Sequence, residues 1–72
     1  MNSIIKRYKV ERKDIAYLRY TIESYDGIAV VATEDASAAV IRLAVSPLCE
    51  NIVDKLISSF VEDEFLNIQE VY

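Results

Sequence analysis

A two-layer α+β sandwich, with a four-stranded antiparallel sheet carrying two helices on one face, is the fold this chain predicts. Three observations lead there. Only one glycine and one proline, Gly27 and Pro47, punctuate the 72 residues. The hydrophobic period switches cleanly between the two-residue repeat of a strand and the 3.6-residue repeat of a helix. Read in order, the segments run strand, helix, strand, strand, helix, strand.

Ser3 to Val10 alternates, with Ile4, Tyr8 and Val10 on one side and Ile5, Arg7 and Lys9 on the other; Lys6 interrupts the apolar side. From Asp14, a candidate N-cap, Ile15, Leu18, Ile22 and Tyr25 recur at helical spacing, and Gly27 suits a left-handed helix exit, so the first helix is expected over 14–26. Ile28 to Thr33 is rich in β-branched residues, Glu34 to Ser37 reads as a polar turn, and Ala39 to Ser46 sets Ile41, Leu43 and Val45 against Val40, Arg42 and Ala44. These form a hairpin. Ser46 as N-cap and Pro47 at the first helical position open the second helix, whose stripe is Cys49, Ile52, Val53, Leu56 and Phe60 and whose end falls near Glu62-Asp63-Glu64. Phe65 to Tyr72 is expected as the last strand.

Two right-handed crossovers interleaved in one sheet give the split βαβ, or ferredoxin-like, arrangement with strand order 4-1-3-2. Residues 1–72 are read as a single domain, with no repeat or linker. A chain this short buries only about 60% of its unfolded surface and holds a net stability of about 3–5 kcal/mol, so self-association would help it.

Charge is distributed unevenly: residues 1–20 carry six basic and two acidic groups, residues 21–72 two basic and ten acidic. With strands one and four as neighbours, Lys6, Arg7 and Lys9 are expected beside the acidic end of the chain, where opposite charges across strands contribute ~0.2–1 kcal/mol each. Cys49 has no cysteine partner, which fits a reducing cytoplasm. No uncharged run approaches the ~20 residues of a membrane span, and the cations among the first 13 residues interrupt any secretory core, so neither export nor a membrane partner is expected.

The chemistry available to this fold can be tested by residue type. There is no histidine and only one cysteine, so four-thiolate iron–sulfur binding and paired-cysteine metal transport are excluded, and no cofactor is expected. The predicted open face carries Arg7, Lys9, Val40, Arg42 and Ala44 without an aromatic on which a base could stack, so no nucleic-acid partner is expected. Glu11-Arg12-Lys13-Asp14 lacks the glycines of an acylphosphatase-like anion loop. Cys49 reads as a small core residue, and Glu34-Asp35 and Glu62-Asp63-Glu64 as solvated acids, so the chain is not expected to be an enzyme.

What remains is contact. Tyr17 and Tyr20 are placed on the outward side of the first helix, as aromatics suited to an interface. The second strand, an edge in this topology, has between Ile28 and Thr33 no charge, no proline and no evident bulge. A second copy is expected to cover it, edge to edge or over the sheet face through Ala29, Val31 and Thr33, which makes the protein a homodimer with a further protein partner.

The run Asp14-Ile-Ala-Tyr-Leu18, with Glu23-Ser-Tyr-Asp-Gly-Ile-Ala29 and the alternating third strand, resembles a family of short bacterial proteins described as domain of unknown function 4911. That resemblance spans nearly the whole chain and implies no activity. More remotely, the element order resembles ACT-type regulatory domains, which dimerise and bind amino acids between strand one and helix one. This similarity implies a small anionic metabolite or amino acid at Arg12, Lys13 and Asp14, although the Pro-Gly usual in those loops is absent here.

Overall fold

The computed structural model describes residues 3–25 and 27–72. Strands β1 (Ile4–Lys9), β2 (Ala29–Asp35), β3 (Val40–Val45) and β4 (Gln69–Val71) form one sheet in the order β2-β3-β1-β4, with antiparallel neighbours throughout. This is the predicted 4-1-3-2 arrangement. Helices α1 (Ile15–Glu23) and α2 (Glu50–Asp63) bury Leu18, Ile22, Val53 and Phe60 against Tyr8, Val31, Ile41, Leu43 and Val45 of the sheet. All nine belong to one core cluster, which is what a domain of this size needs in place of a disulfide.

The helices start and stop differently from the sequence expectation, for local reasons. Arg12–Asp14 forms a 3-10 turn before α1, closed by Asp14 N–H donating to the Glu11 carbonyl at 2.9 Å. Asp14 does not cap the helix with its side chain; its carboxylate faces Lys13 Nζ at 3.5 Å. At the other end Ser24 Oγ donates to the Thr21 carbonyl at 2.6 Å, and Ser24 N–H is shared between Tyr20 and Thr21. This tightening ends α1 at Glu23. The expected end at Asp26 lies outside the described residues. Gly27 does adopt the left-handed conformation expected of it, φ +73, in the turn into β2. Tyr25, beyond the helix, is exposed instead of closing the core stripe.

Pro47 begins a second 3-10 turn, Pro47–Cys49, where its missing N–H costs nothing, but Ser46 caps through its carbonyl, which accepts Cys49 N–H at 2.8 Å, and not through its hydroxyl. Along α2, Ile52 is turned outward and Ile57 inward. The last strand is shorter than expected because Phe65, at φ +57, breaks the chain direction, and Leu66 N–H returns to the Phe60 carbonyl at 3.0 Å. Leu66 and Ile68 then pack on the core as irregular chain, and pairing with β1 begins only at Gln69.

The hairpin is offset as well. β2 continues to Asp35 with a register shift between Thr33 and Asp35, so the bulge that the sequence did not reveal is present. Asp35 Oδ1 accepts hydrogen bonds from Ser37 N–H, Ser37 Oγ and Ala38 N–H, which holds its carboxyl below the usual carboxylate range. The turn ends in Ala39 at φ +57, and β3 starts one residue later than expected.

Lys6 resolves the break in the apolar side of β1. Its ammonium lies 3.2 Å from both Glu50 and Asp54, in the first turns of α2, and the side chain is only 13% exposed. Desolvation opposes its charge, but the hydrogen bonds to Asp54 and Glu50 outweigh that and raise its pKa above the ordinary lysine value. Lys6 and Arg7 therefore find their partners on α2 and β2, not on β4 as expected; β4 sets Gln69 opposite Lys9 and Glu70 opposite Tyr8.

Tyr8 is buried, and desolvation followed by the Glu70 charge pushes its pKa up to about 12 from 10.0. Because the folded state keeps the proton that the unfolded chain releases, this stabilisation is complete below pH 10 and lost as pH rises through the folded value. In an ultraviolet phenolate titration of the native protein, the ionisation nearest pH 12 should vanish in Tyr8→Phe. Its persistence would place that group elsewhere.

Candidate functional site: the open face of the sheet

The face of the sheet away from the helices is built by the residues that alternate with the core. Cross-strand register places Ile5 on β1, Ala44 on β3 and Val30 on β2 in one row, and Arg7, Arg42 and Ala32 in the next. Ile5 is 45% exposed and Val30 65% exposed. Val71 of β4, opposite Arg7, extends the apolar surface.

Arg7 and Arg42 are direct cross-strand neighbours, a like-charge pairing that disfavours the sheet. Glu34 offsets it. Arg7 Nε lies 2.9 Å from both Glu34 oxygens, so the β1 side chain spans β3 to reach β2. Among the described residues Arg42 makes no ion pair. The face is thus an apolar row beside a partly neutralised cationic one, and it carries Arg7, Lys9, Val40, Arg42 and Ala44 as expected.

The expected contact residues are dispersed. Val31 is 2% exposed and faces the core opposite Leu43, so it is no part of an outer surface; the contact expectation for this position is corrected by one residue, to Val30. Ile28 is buried too, Ala29 is half-buried, and Thr33 is exposed at the bulge. Tyr17 is 44% exposed but leans toward α2: its ring meets Phe60 edge-on, centroids 6.1 Å apart at 69°, and its hydroxyl donates to Glu64 Oε1. That hydrogen bond raises its pKa above the ordinary tyrosine value. Tyr20, 77% exposed, is the more open of the pair.

In the expected ligand loop, the Arg12 guanidinium donates to the Ser37 carbonyl at 3.2 Å, and Lys13 and Asp14 face each other. These contacts tie the loop to the hairpin. Three of the candidate carboxylates also have structural partners, Glu34 with Arg7, Asp63 with Ser59 and Glu64 with Tyr17, and Cys49 packs against the core. Among the described residues no group of three or more histidine, cysteine or carboxylate side chains is placed to hold a metal, and no helix is long and apolar enough to cross a membrane.

Sequence reasoning missed Ile5, Val30 and Glu23 as surface determinants. For Ile5 the alternation of β1 was a sufficient signal. For Val30 none existed within the strand, because an uninterrupted apolar run does not tell its two faces apart. Glu23 is set by tertiary contact: its Oε2 accepts Val31 N–H at 3.0 Å.

No curated protein and no solved structure matches this chain. The family described as domain of unknown function DUF4911 matches residues 8–63, a span running from the buried Tyr8 through both helices and the β2–β3 hairpin. With most of its length and most of its core inside that match, the chain belongs to the DUF4911 family.

Proposed function

We propose that the domain is a non-enzymatic module of the cytoplasm that acts by protein contact, as a homodimer joined through the open face of its sheet. The observation that carries this reading is the row Ile5, Ala44, Val30, in which two large apolar side chains stand exposed on a face that no helix covers. Both a small core and an exposed apolar row favour a second copy. A two-fold axis through that row sets the arginines of the two copies at opposite rims, where their charges stay hydrated.

The size of the face sets the strength. Four strands ~4.8 Å apart, three of six or seven residues and β4 of three, at ~3.3 Å per residue, project roughly 350 Å². That is about half the ~800 Å² per partner of a standard interface, so the dimer is weak, with Kd in the micromolar range or above. The structural partners of the carboxylates support the absence of catalysis, and the single cysteine supports a reducing compartment.

Sedimentation equilibrium from about 10 μM to 1 mM, the range in which such a Kd is read, should show the native chain passing from monomer to dimer. Val30→Lys should remain monomeric throughout, with the melting temperature that the native chain shows at concentrations where it too is monomeric. A native chain that is monomeric at the highest concentration, or a Val30→Lys variant that still dimerises, overturns the reading.

A further inference from the structure

The edge of β2 presents a separate surface. Ser46 N–H donates to the Ile28 carbonyl at 3.1 Å, so by alternation Val30 and Ala32 turn their amides toward β3, while Ala29, Val31 and Thr33 turn theirs away from the sheet. At Val31 the outward N–H is met by Glu23 Oε2 at 3.0 Å. The carboxylate stands where the carbonyl of one more strand would stand. Among the described residues no side chain meets the outward amides of Ala29 and Thr33. Around the start of β2 lies a cleft of about 390 Å³ walled by Tyr25, Ile28, Ala29, Val30 and Ala44, and among the described residues Glu23 is its one charged lining residue.

We propose that this edge docks an extended segment of another protein, which adds a strand to β2, pairs a lysine or arginine with Glu23 and places an apolar side chain in the cleft. The segment's carbonyl takes over Val31 N–H, and the released carboxylate turns to the incoming cation. Arg19, one turn back on α1, stands 3.8 Å from Glu23 Oε1 and is the exposed contact that this cation replaces. Charge selects the occupant. Two copies of β2 paired edge to edge bring two Glu23 carboxylates to one seam, and the bulge between Thr33 and Asp35 interrupts their ladder, whereas a basic strand meets an acceptor. The cleft shares Val30 and Ala44 with the open-face row, while the strand pairing itself rests on the outward amides of β2 and on Glu23.

Binding of two fluorescent peptides to the full chain tests it: acetyl-VKVKV-amide against acetyl-VEVEV-amide, read by anisotropy and by amide hydrogen exchange. The lysine peptide should bind about five-fold tighter or more, the ratio that ~1 kcal/mol of exposed ion pairing supplies. It should also protect the amides of Ala29 and Thr33. Glu23→Gln, which keeps an acceptor for Val31 N–H and so keeps the fold, should bring the two peptides within about two-fold of each other. Equal affinities for the native chain, no binding of either peptide, protection mapped to another surface, or an undiminished lysine preference in Glu23→Gln each overturn the proposal. None of these outcomes bears on the sedimentation of the native chain, which decides the open-face dimer separately.

Discussion

Phe60→Ala is expected to leave the domain largely unfolded at room temperature. Phe60 is fully buried, stands at the junction of both helices through its edge contact with Tyr17, and anchors the chain exit, since its carbonyl accepts Leu66 N–H. Truncating such a ring costs about 3–5 kcal/mol, the lost transfer energy plus the cavity left behind. The whole stability of a 72-residue domain without disulfides is of the same size, about 3–5 kcal/mol, so nothing remains to hold the fold. Far-UV circular dichroism with urea titration reads this directly. Phe60→Leu, which nearly conserves volume, should stay folded and lose about 1–1.5 kcal/mol. If the alanine variant melts within a few degrees of the native chain, Phe60 is not the centre of the core.

Val31→Asp should be nearly as damaging, and its neighbour Val30→Lys should not. Val31 is 2% exposed beneath α1 and opposite Leu43, while Val30 is 65% exposed and opposite Ala44. A carboxylate at position 31 enters a core cluster that, among the described residues, holds no cation, and lies close to Glu23, whose carboxylate already meets the Val31 backbone. Burying it unpaired, with the loss of valine packing, costs about 3 kcal/mol or more. At position 30 the same strand faces solvent, and a surface change is worth within about ±0.5 kcal/mol. Thermal melts of the two variants side by side check the phase of β2. Equal destabilisation by both would mean that the strand is buried on both faces.

How far the fold is legible from residues alone varies by element. β1 and β3 were readable in phase, with ends about one residue off, because charged or small side chains at Arg7, Lys9, Arg42 and Ala44 mark one face and Tyr8, Ile41, Leu43 and Val45 the other. β2 was readable as a strand but not in phase: Ile28 to Val31 is apolar throughout, and either face satisfies the pattern. The end of α1 and the left-handed Phe65 were hidden for a different reason, since a serine side chain bonding back to the preceding turn and a chain reversal at a non-glycine residue leave no compositional mark.

The candidate site divides in the same way. The open face and its basic residues followed from alternation and strand order, but the apolar row across it needed the register of β2 on β3, which is a long-range pairing. Tyr17 looked outward on an ideal helical wheel; α2 packs close enough to capture its ring with Phe60 and its hydroxyl with Glu64. Lys6 looked like a defect in a strand and is instead a bridge to two acids on a helix more than forty residues away.

The sequence by itself determined the layer architecture, the strand order and the identity of the core on β1 and β3, because hydrophobic period, two breakers and crossover handedness are local or topological constraints. Only the tertiary structure decided which face of β2 is wet, that its edge is occupied by Glu23, and which partners the cations of β1 take. Those choices are settled by contacts between residues distant along the chain, whose energies no local pattern encodes.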